Sequence, residues 1–402
     1  MNPIASIIAR EIKDSRGKPT LEVILSSSEH IARAAVPSGK SAGSHEAVKL
    51  PVAEALKIIE MIVAPALVGQ PSVQEKIDQI LLEIDGTENK SKLGGNVMIG
   101  VSMAAARLAA AEKGIPLWRL ISEENNTTPS FPALFMNLIN GGVHADFRLP
   151  FQEYIVVLTG PSPRRAYESG VAIFAKLGEL IKIKYGTVPP GRDKVPMGDE
   201  GGYSPQMTRM EEPFELLNQV CVGAENTFLA IDAAASEFYQ DGVYNLSGLN
   251  YTSKKLSELY QNLVRQFPLK SIEDPFFEDE PESFKKLTEA LGQNILIVGD
   301  DLTVTNPKRI GNFIKNQTVN AVIIKPNQIG TLTETYEAVR LAHKAGWKCI
   351  VSHRSGDTPD SFIADLAVGL GAYGLKAGSP LRPERKAKYD RLIEINEREM
   401  VE

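Results

Sequence analysis

Between Tyr154 and Ala377 the chain repeats one pattern, a short apolar run followed by a segment of helical character. The runs are Tyr154 to Leu158, Thr227 to Asp232, Leu269 to Glu273, Ile295 to Asp300, Ala321 to Lys325, Lys348 to Ser352 and Tyr373 to Ala377. Helical stretches separate them, among them Ser253 to Arg265, Thr331 to Ala345 and Ser361 to Leu370. Repeated β–α units of roughly 25–40 residues argue for a parallel sheet or a barrel. Seven or eight such units after residue 130 favour the barrel.

The charges at the ends of these runs narrow the reading further. One apolar strand closing on a carboxylate means little, since an Asp there commonly caps the next helix. Here Thr227–Asp232 closes on Asp232, Leu269–Glu273 on Glu273-Asp274 and Ile295–Asp300 on Asp300-Asp301. The following runs close on Lys325, on Ser352-His353-Arg354-Ser355 and on Lys376. In a barrel these ends meet on one face, where barrel active sites are built. Carboxylates converging there would repel each other unless a cation sat between them. Oxygen ligands of this kind suit Mg²⁺ or Mn²⁺. A divalent metal beside two lysines and an arginine fits a substrate bearing several negative charges. Lys325 is expected to pair with Asp301 as well as to act in catalysis, and His45 and His343 read as structural or exposed residues.

The first part of the chain has a different character. Ile7 to Ile12, Leu21 to Leu25 and Ile31 to Val36 read as strands, with Asp14-Ser15-Arg16-Gly17-Lys18-Pro19 as a connecting loop. Helical patterns follow at Val52 to Ala66 and Val73 to Ile84, then along an Ala-rich run from Asn96 to Glu123. A polar stretch from Ser122 to Pro129 reads as a linker. The expected fold is therefore α/β: a C-terminal (β/α)8-type barrel over residues 129–402 with a smaller N-terminal α+β capping domain over residues 1–128. The net charge of −6 gives no electrostatic footprint for nucleic acid. No apolar run reaches the ~18 residues needed to span a membrane, and Met1-Asn2-Pro3-Ile4-Ala5 opens no secretory signal. Cys221 and Cys349 read as reduced thiols, and the expected location is cytoplasmic.

Several motifs together resemble the enolase family across nearly the whole chain. They are Gly198-Asp199-Glu200-Gly201-Gly202, Ser271-Ile272-Glu273-Asp274-Pro275, Gly299-Asp300-Asp301-Leu302, Lys325-Pro326-Asn327-Gln328-Ile329-Gly330-Thr331 and Ser352-His353-Arg354-Ser355-Gly356. Asp14-Ser15-Arg16-Gly17 and Asp85-Gly86-Thr87-Glu88-Asn89-Lys90 carry the likeness into the first lobe. The resemblance implies reversible dehydration of 2-phosphoglycerate to phosphoenolpyruvate, in glycolysis and gluconeogenesis, with two Mg²⁺ per site. It implies Asp232, Glu273 and Asp300 as ligands of the first ion and Ser41 as a ligand of the second. It implies Lys325 as general base and Glu200 as general acid, with His144 and Glu153 supporting the acid side. Lys376 would hold the substrate carboxylate, and Arg354 and Ser355 the phosphate, with His353 beside them. A Lys or His base beside one or two Mg²⁺ is the known pattern of the enolase superfamily, so this role comes from the resemblance and not from the residues alone. Lys325 must be neutral to take a proton, and Mg²⁺ and Lys376 are expected to push its pKa down.

The sequence also departs from the family. Enolases usually carry a further stretch after the segment matched by Glu46 to Leu50, whereas this chain runs directly into Pro51. Ala42 replaces a usual threonine, and Phe147-Arg148-Leu149-Pro150 replaces a more polar stretch. The position of Glu22 usually faces an arginine across a dimer interface, and that partner position is Glu394 here. Two glutamates would repel, so the resemblance implies a homo-oligomer with an altered dimer contact. Two competing readings are a catalytically inactive enolase-like binding protein and a related lyase acting on another acid. Loss of Lys325, Glu200 or a carboxylate ligand would mark the first, yet all are present. Arg354, Ser355 and Lys376 speak against the second, because a phosphate grip is wasted on an acid without phosphate.

Overall fold

The computed structural model describes residues 2–40, 43–145, 149–160, 162–186, 195–207 and 209–400, with the backbone alone at position 144. The alternating opening segment forms an antiparallel sheet of β1 (Ser6–Lys13), β2 (Pro19–Ser26) and β3 (Ile31–Ala35). Asp14 makes the turn between the first two strands. Its side chain accepts from the backbone N–H groups of Arg16 and Lys18, both at 2.9 Å, which is how Asp stabilises a tight turn. Leu21, Val23 and Leu25 point to the buried face, where the helix Gly95–Lys113 packs.

The Ala-rich run expected as one helix is two, Gly95–Lys113 and Leu117–Asn125. Gly114 caps the first with left-handed backbone at φ 64°, and Pro116 cannot continue a helix from it. The expected helix from Val52 to Ala66 spans Val52–Leu67, with a π-helical turn at Ile59–Val63.

The later strands close into a barrel in the order β4 (Ala133–Asn140), β5 (Glu153–Leu158), β6 (Thr227–Asp232), then Leu269–Glu273, Leu296–Gly299, Ala321–Ile324, Lys348–Ser352 and Gly374–Lys376. A small antiparallel sheet of β7 (Tyr239–Gln240), β8 (Val243–Leu246) and β9 (Leu249–Tyr251) is inserted after β6. The last five barrel strands are accordingly β10 to β14. The strands run parallel except β5, which is antiparallel to both β4 and β6. The connection from Asn140 to Glu153 contains only a single 3-10 turn among the described residues, too little for a parallel crossover. A further strand, β4, precedes those expected from the sequence.

Two apolar clusters show which way each barrel residue points. Phe135, Ile155, Val157, Ala230, Val298, Ala321, Ile323 and Ile350 pack together. Their neighbours Met136, Val156, Leu229, Ile231, Ile297, Val322, Ile324 and Val351 belong to the larger core. Side chains on a strand alternate faces, so the first set fills the barrel interior and the second meets the surrounding helices. Counting in twos toward the strand ends, the interior row continues from Ala230 to Asp232, from Val298 to Asp300 and from Ile323 to Lys325. In β10 and β14 the outward residues Ile272 and Leu375 leave Glu273 and Lys376 to face inward. The antiparallel β5 begins at this end, so its first residue, Glu153, lies beside Asn140 and Asp232.

Candidate active site

Alternation thus directs Glu153, Asp232, Glu273, Asp300, Lys325 and Lys376 into one end of the barrel. The same cavity is lined by Glu200, His353, Arg354 and Ser355, and by Glu46 from the first lobe. All of these site residues but Lys325 and Glu46 have less than a tenth of their surface exposed, so their charges must be answered locally. A wider cleft of about 590 Å³ opens at the other end, where Phe131, Trp347, Lys348 and Tyr373 line it. No carboxylate lines that cleft among the described residues.

Lys376 Nζ lies 2.8 Å from Glu273 Oε2, 3.1 Å from Asp232 Oδ2 and 3.3 Å from Glu153 Oε1. Burial works against its charge, yet these carboxylates hold the ammonium well above the usual lysine range. One ammonium cannot balance three carboxylates. Burial and the Asp232 charge therefore push Glu273 well above the ordinary carboxylate range, and burial with Glu200 does the same to Glu153. Glu153 Oε2 is buried without a hydrogen-bond partner among the described residues.

Lys325 binds Asp300, not Asp301 as the sequence suggested. Position explains it: Asp300 is on the interior row with Lys325, whereas Asp301 is one residue off that alternation. Burial opposes the charge on Lys325, but Asp300 keeps the lysine protonated, and Lys325 in turn holds Asp300 below its usual range against burial. The protein's own side chains therefore do not produce the neutral lysine anticipated from the sequence. Asp274 fixes this strand end, accepting from the backbone N–H of Asp300 at 2.9 Å and of Asp301 at 2.8 Å.

Glu200 Oε2 accepts from Asn137 Nδ2 at 2.9 Å and lies 3.4 Å from His353 Nε2. Asn137 was not apparent from sequence, although an amide in the middle of the apolar β4 run is the signal that marks it. Arg354 donates to both oxygens of Glu46 at 3.0 Å and to Asn327 Oδ1 at 3.2 Å. Ser355 Oγ accepts from the Lys40 backbone N–H at 2.8 Å. Ser41, Ala42, Phe147 and Arg148 lie outside the described residues, as does the side chain of His144. His45 is exposed and within reach of Asp279, and His343 is half-buried.

The donor atoms suit a hard divalent cation. They are oxygens, and Asp232, Glu273, Asp300, Asp274, Asp301, Glu153 and Glu200 exceed what Lys325 and Lys376 can neutralise. Oxygens of Asp274, Asp300 and Asp301 approach within 4.8 Å of one another. Burial and the Asp300 charge push Asp301 well above the usual carboxylate range, as burial and Asp301 do for Asp274. A bound cation would relieve that crowding.

Two family models match this chain. The one described as "Enolase, C-terminal TIM barrel domain" matches residues 128–401, and "Enolase, N-terminal domain" matches residues 4–121. Among curated proteins, the enolase of Methanopyrus kandleri is 45% identical over 417 residues, covering 99% of this chain and 96% of that protein. Enolase B of Dictyostelium discoideum is 44% identical over 423 residues, covering 98% of this chain and 94% of that protein.

Proposed function

The chain belongs to the enolase family, and from that premise we infer that it is a phosphopyruvate hydratase, a lyase that interconverts 2-phosphoglycerate and phosphoenolpyruvate in glycolysis. The observation that carries the site assignment is the inward row of carboxylates and lysines at one barrel end, set by strand alternation.

Lys325 is the base that removes the proton beside the substrate carboxylate; Asp300 holds it as the ammonium in the resting site, and a cation bound at Asp300 would leave the amine free to take that proton. Lys376 orients and neutralises the substrate carboxylate. Glu200 is the acid that returns a proton to the departing hydroxide, and the crowding that raises Glu153 favours a shared proton on this pair. His144 supports that side of the site. Arg354 offers a planar fork for the phosphate, with Ser355 and His353 beside it. Asp232, Glu273 and Asp300 would hold one Mg²⁺ and Ser41 would join a second, and these ions, when bound, supply positive charge for the doubly charged carboxylate formed by proton loss. An inactive binding protein would be marked by loss at one of these positions, and each residue is present.

The same reading covers assembly and location. We propose residues 1–128 and 129–402 as the two domains, a homo-oligomer, and a cytoplasmic location supported by two free cysteines. Among the described residues no helix is long and apolar enough to cross a membrane. Glu22 pairs with Arg10 at 2.6 Å and Glu394 with Arg391 at 2.9 Å, each within its own chain. Each glutamate thus has its own cation, which supports a subunit contact different from the usual glutamate–arginine pair.

The deciding assay follows the ultraviolet absorbance of the enolpyruvate product after 2-phosphoglycerate is added with Mg²⁺, then with excess EDTA. A rise that EDTA abolishes supports the assignment. A folded, Mg²⁺-loaded protein that gives no rise overturns it.

A further inference from the structure

The helix Pro383–Glu394 begins Pro383-Glu384-Arg385-Lys386-Ala387-Lys388 and has the composition of an exposed, charged helix. Arg385 and Lys388 are nevertheless buried, at 0% and 1% exposure. Arg385 Nη1 donates to the backbone carbonyl of Arg354 at 2.7 Å, and Nη2 to that of Ser355 at 2.8 Å. Nη1 also lies 3.2 Å from Asp357 Oδ2 and in hydrogen-bond contact with His353 Nδ1.

That last contact has one chemical meaning. A guanidinium has donors only and stays protonated in proteins. His353 Nδ1 must therefore accept, and the ring proton is left on Nε2. The ring is anchored by its own backbone N–H, which donates to the Lys376 carbonyl at 2.9 Å. Nε2 then faces Glu200 Oε2 at 3.4 Å.

We propose that Arg385 is a positioning residue that locks His353 in the Nε2–H tautomer, aimed at Glu200. The consequence reaches the acid. Oε2 of Glu200 faces two donors, His353 Nε2–H and Asn137 Nδ2–H, so this oxygen is held as an acceptor. Arg385 sets that role without touching Glu200, and it does so by excluding the other tautomer. With the proton on Nδ1, an N–H would confront the guanidinium and a lone pair would confront the carboxylate.

The charged groups around His353 agree with a neutral ring. They are Glu200 on one side and Arg385 and Asp357 on the other, with Lys388 Nζ 2.8 Å from Asp357 Oδ2. Burial lowers the imidazole to about 4, Glu200 opposes this, and Arg385 adds to it.

The inference rests on the enolase reading only in taking Glu200 as the proton donor. Its test does not depend on turnover. Nitrogen-15 NMR of histidine-labelled protein, with His353→Gln to assign the resonance, reads the tautomer directly. The expected result is a protonated Nε2 and an unprotonated Nδ1 that holds through pH 5–8. A wild-type His353 carrying its proton on Nδ1, or titrating as an imidazolium in that range, overturns the proposal whether or not the enzyme is active. Arg385→Met removes the donor that excludes a proton from Nδ1, where glutamine would still offer its amide N–H, and the Nδ1–H form should appear. Its kcat should fall by roughly 10²-fold, near the lower end of what a positioned acid contributes. Arg385→Lys restores a donor and should restore the tautomer, and a lysine variant that also shifts to Nδ1–H would contradict the proposal. Hydratase activity in the wild type with no tautomer change in Arg385→Met sinks the inference and leaves the enzyme assignment standing.

Discussion

Lys376→Met removes the one ammonium that Asp232, Glu273 and Glu153 share, at 3.1, 2.8 and 3.3 Å, and puts a side chain of similar length in its place. Three buried carboxylates then face one another. Breaking a buried pair by deleting one partner typically costs about 3–5 kcal/mol. Glu273 and Glu153 already hold protons more tightly than ordinary carboxylates and can take them up in the variant, so the lower end of that range is expected near neutral pH. At about 2.1 cal/mol/K per residue, 402 residues give an unfolding entropy near 0.8 kcal/mol/K, and a loss of about 3 kcal/mol becomes a fall in Tm of about 4 °C. The measurement is calorimetric unfolding of both proteins in EDTA. The sign with pH follows from linkage. In the variant the carboxyl pKa values are raised further in the folded state, so its deficit should shrink on acidification and grow as pH rises. Mg²⁺ offers a second route to neutrality. An ion at 100 times its Kd contributes about 2.7 kcal/mol, and the variant should gain at least as much from it as the wild type. Equal Tm values in EDTA, or a larger Mg²⁺ gain in the wild type, would refute the view that Lys376 is the counter-ion of this cluster.

Lys325→Ala should lower kcat by at least roughly 10²–10⁴-fold while Mg²⁺ binding by calorimetry persists, and in EDTA it should lower the unfolding midpoint because buried Asp300 loses its partner; near-normal kcat would remove Lys325 from its role. Glu46→Gln takes a carboxylate away from Arg354, which donates to both of its oxygens at 3.0 Å. A charged hydrogen bond is worth about 1.5–3 kcal/mol, so inorganic phosphate should bind about tenfold tighter or more, and unchanged affinity in a titration would rule Glu46 out as a competitor. Asp78 is fully buried, with Oδ2 accepting from Gln74 and Thr333 and Oδ1 without a partner among the described residues. Burial raises its pKa above 3.8, so its contribution to stability is lost as pH rises from that value through the folded pKa. Asp78→Asn should therefore gain in Tm relative to wild type across that window, and a difference independent of pH would count against an ionised Asp78.

The barrel was legible because its strands carry their own ruler. A run such as Ala321–Ile324 is apolar on both faces, so it reads as a buried strand, and the charge that follows it falls on a definite face. That is why Asp232, Glu273, Asp300, Lys325 and Lys376 could be picked out one strand at a time. β4 escaped notice because Asn137 interrupts the apolar run of Ala133–Asn140 and the run ends in Asn140, without the charged end that marked most of the others. The direction of β5 was equally hidden, since strand direction depends on the connection and not on the run itself. Glu153 therefore looked unlike the other site carboxylates, standing at the beginning of its strand. Pairing was less legible still. Asp300 and Asp301 are adjacent and chemically identical, and only the inward row decides which meets Lys325. Arg385 was concealed by composition, because a helix start rich in Lys, Arg and Glu reads as solvent-facing until its burial is seen.

The cations of the site share one arrangement. Arg354 is engaged by Glu46, Lys325 by Asp300, and Lys376 by Asp232, Glu273 and Glu153. Each group proposed to receive negative charge from the substrate already holds a carboxylate of the protein. An uncompensated charge in such a cavity would cost several kcal/mol, so the pairs keep the resting site stable. They also set what can enter. A ligand with one negative charge can replace one internal carboxylate and must leave the displaced group unanswered nearby. A ligand with both a phosphate and a carboxylate can exchange at Arg354 and Lys376 together, and the released Glu46, Asp232 and Glu273 are then free to answer a divalent cation. Selection for a doubly anionic substrate thus follows from how the protein balances its own charges, and the coupling predicts that substrate and divalent cation each tighten the binding of the other.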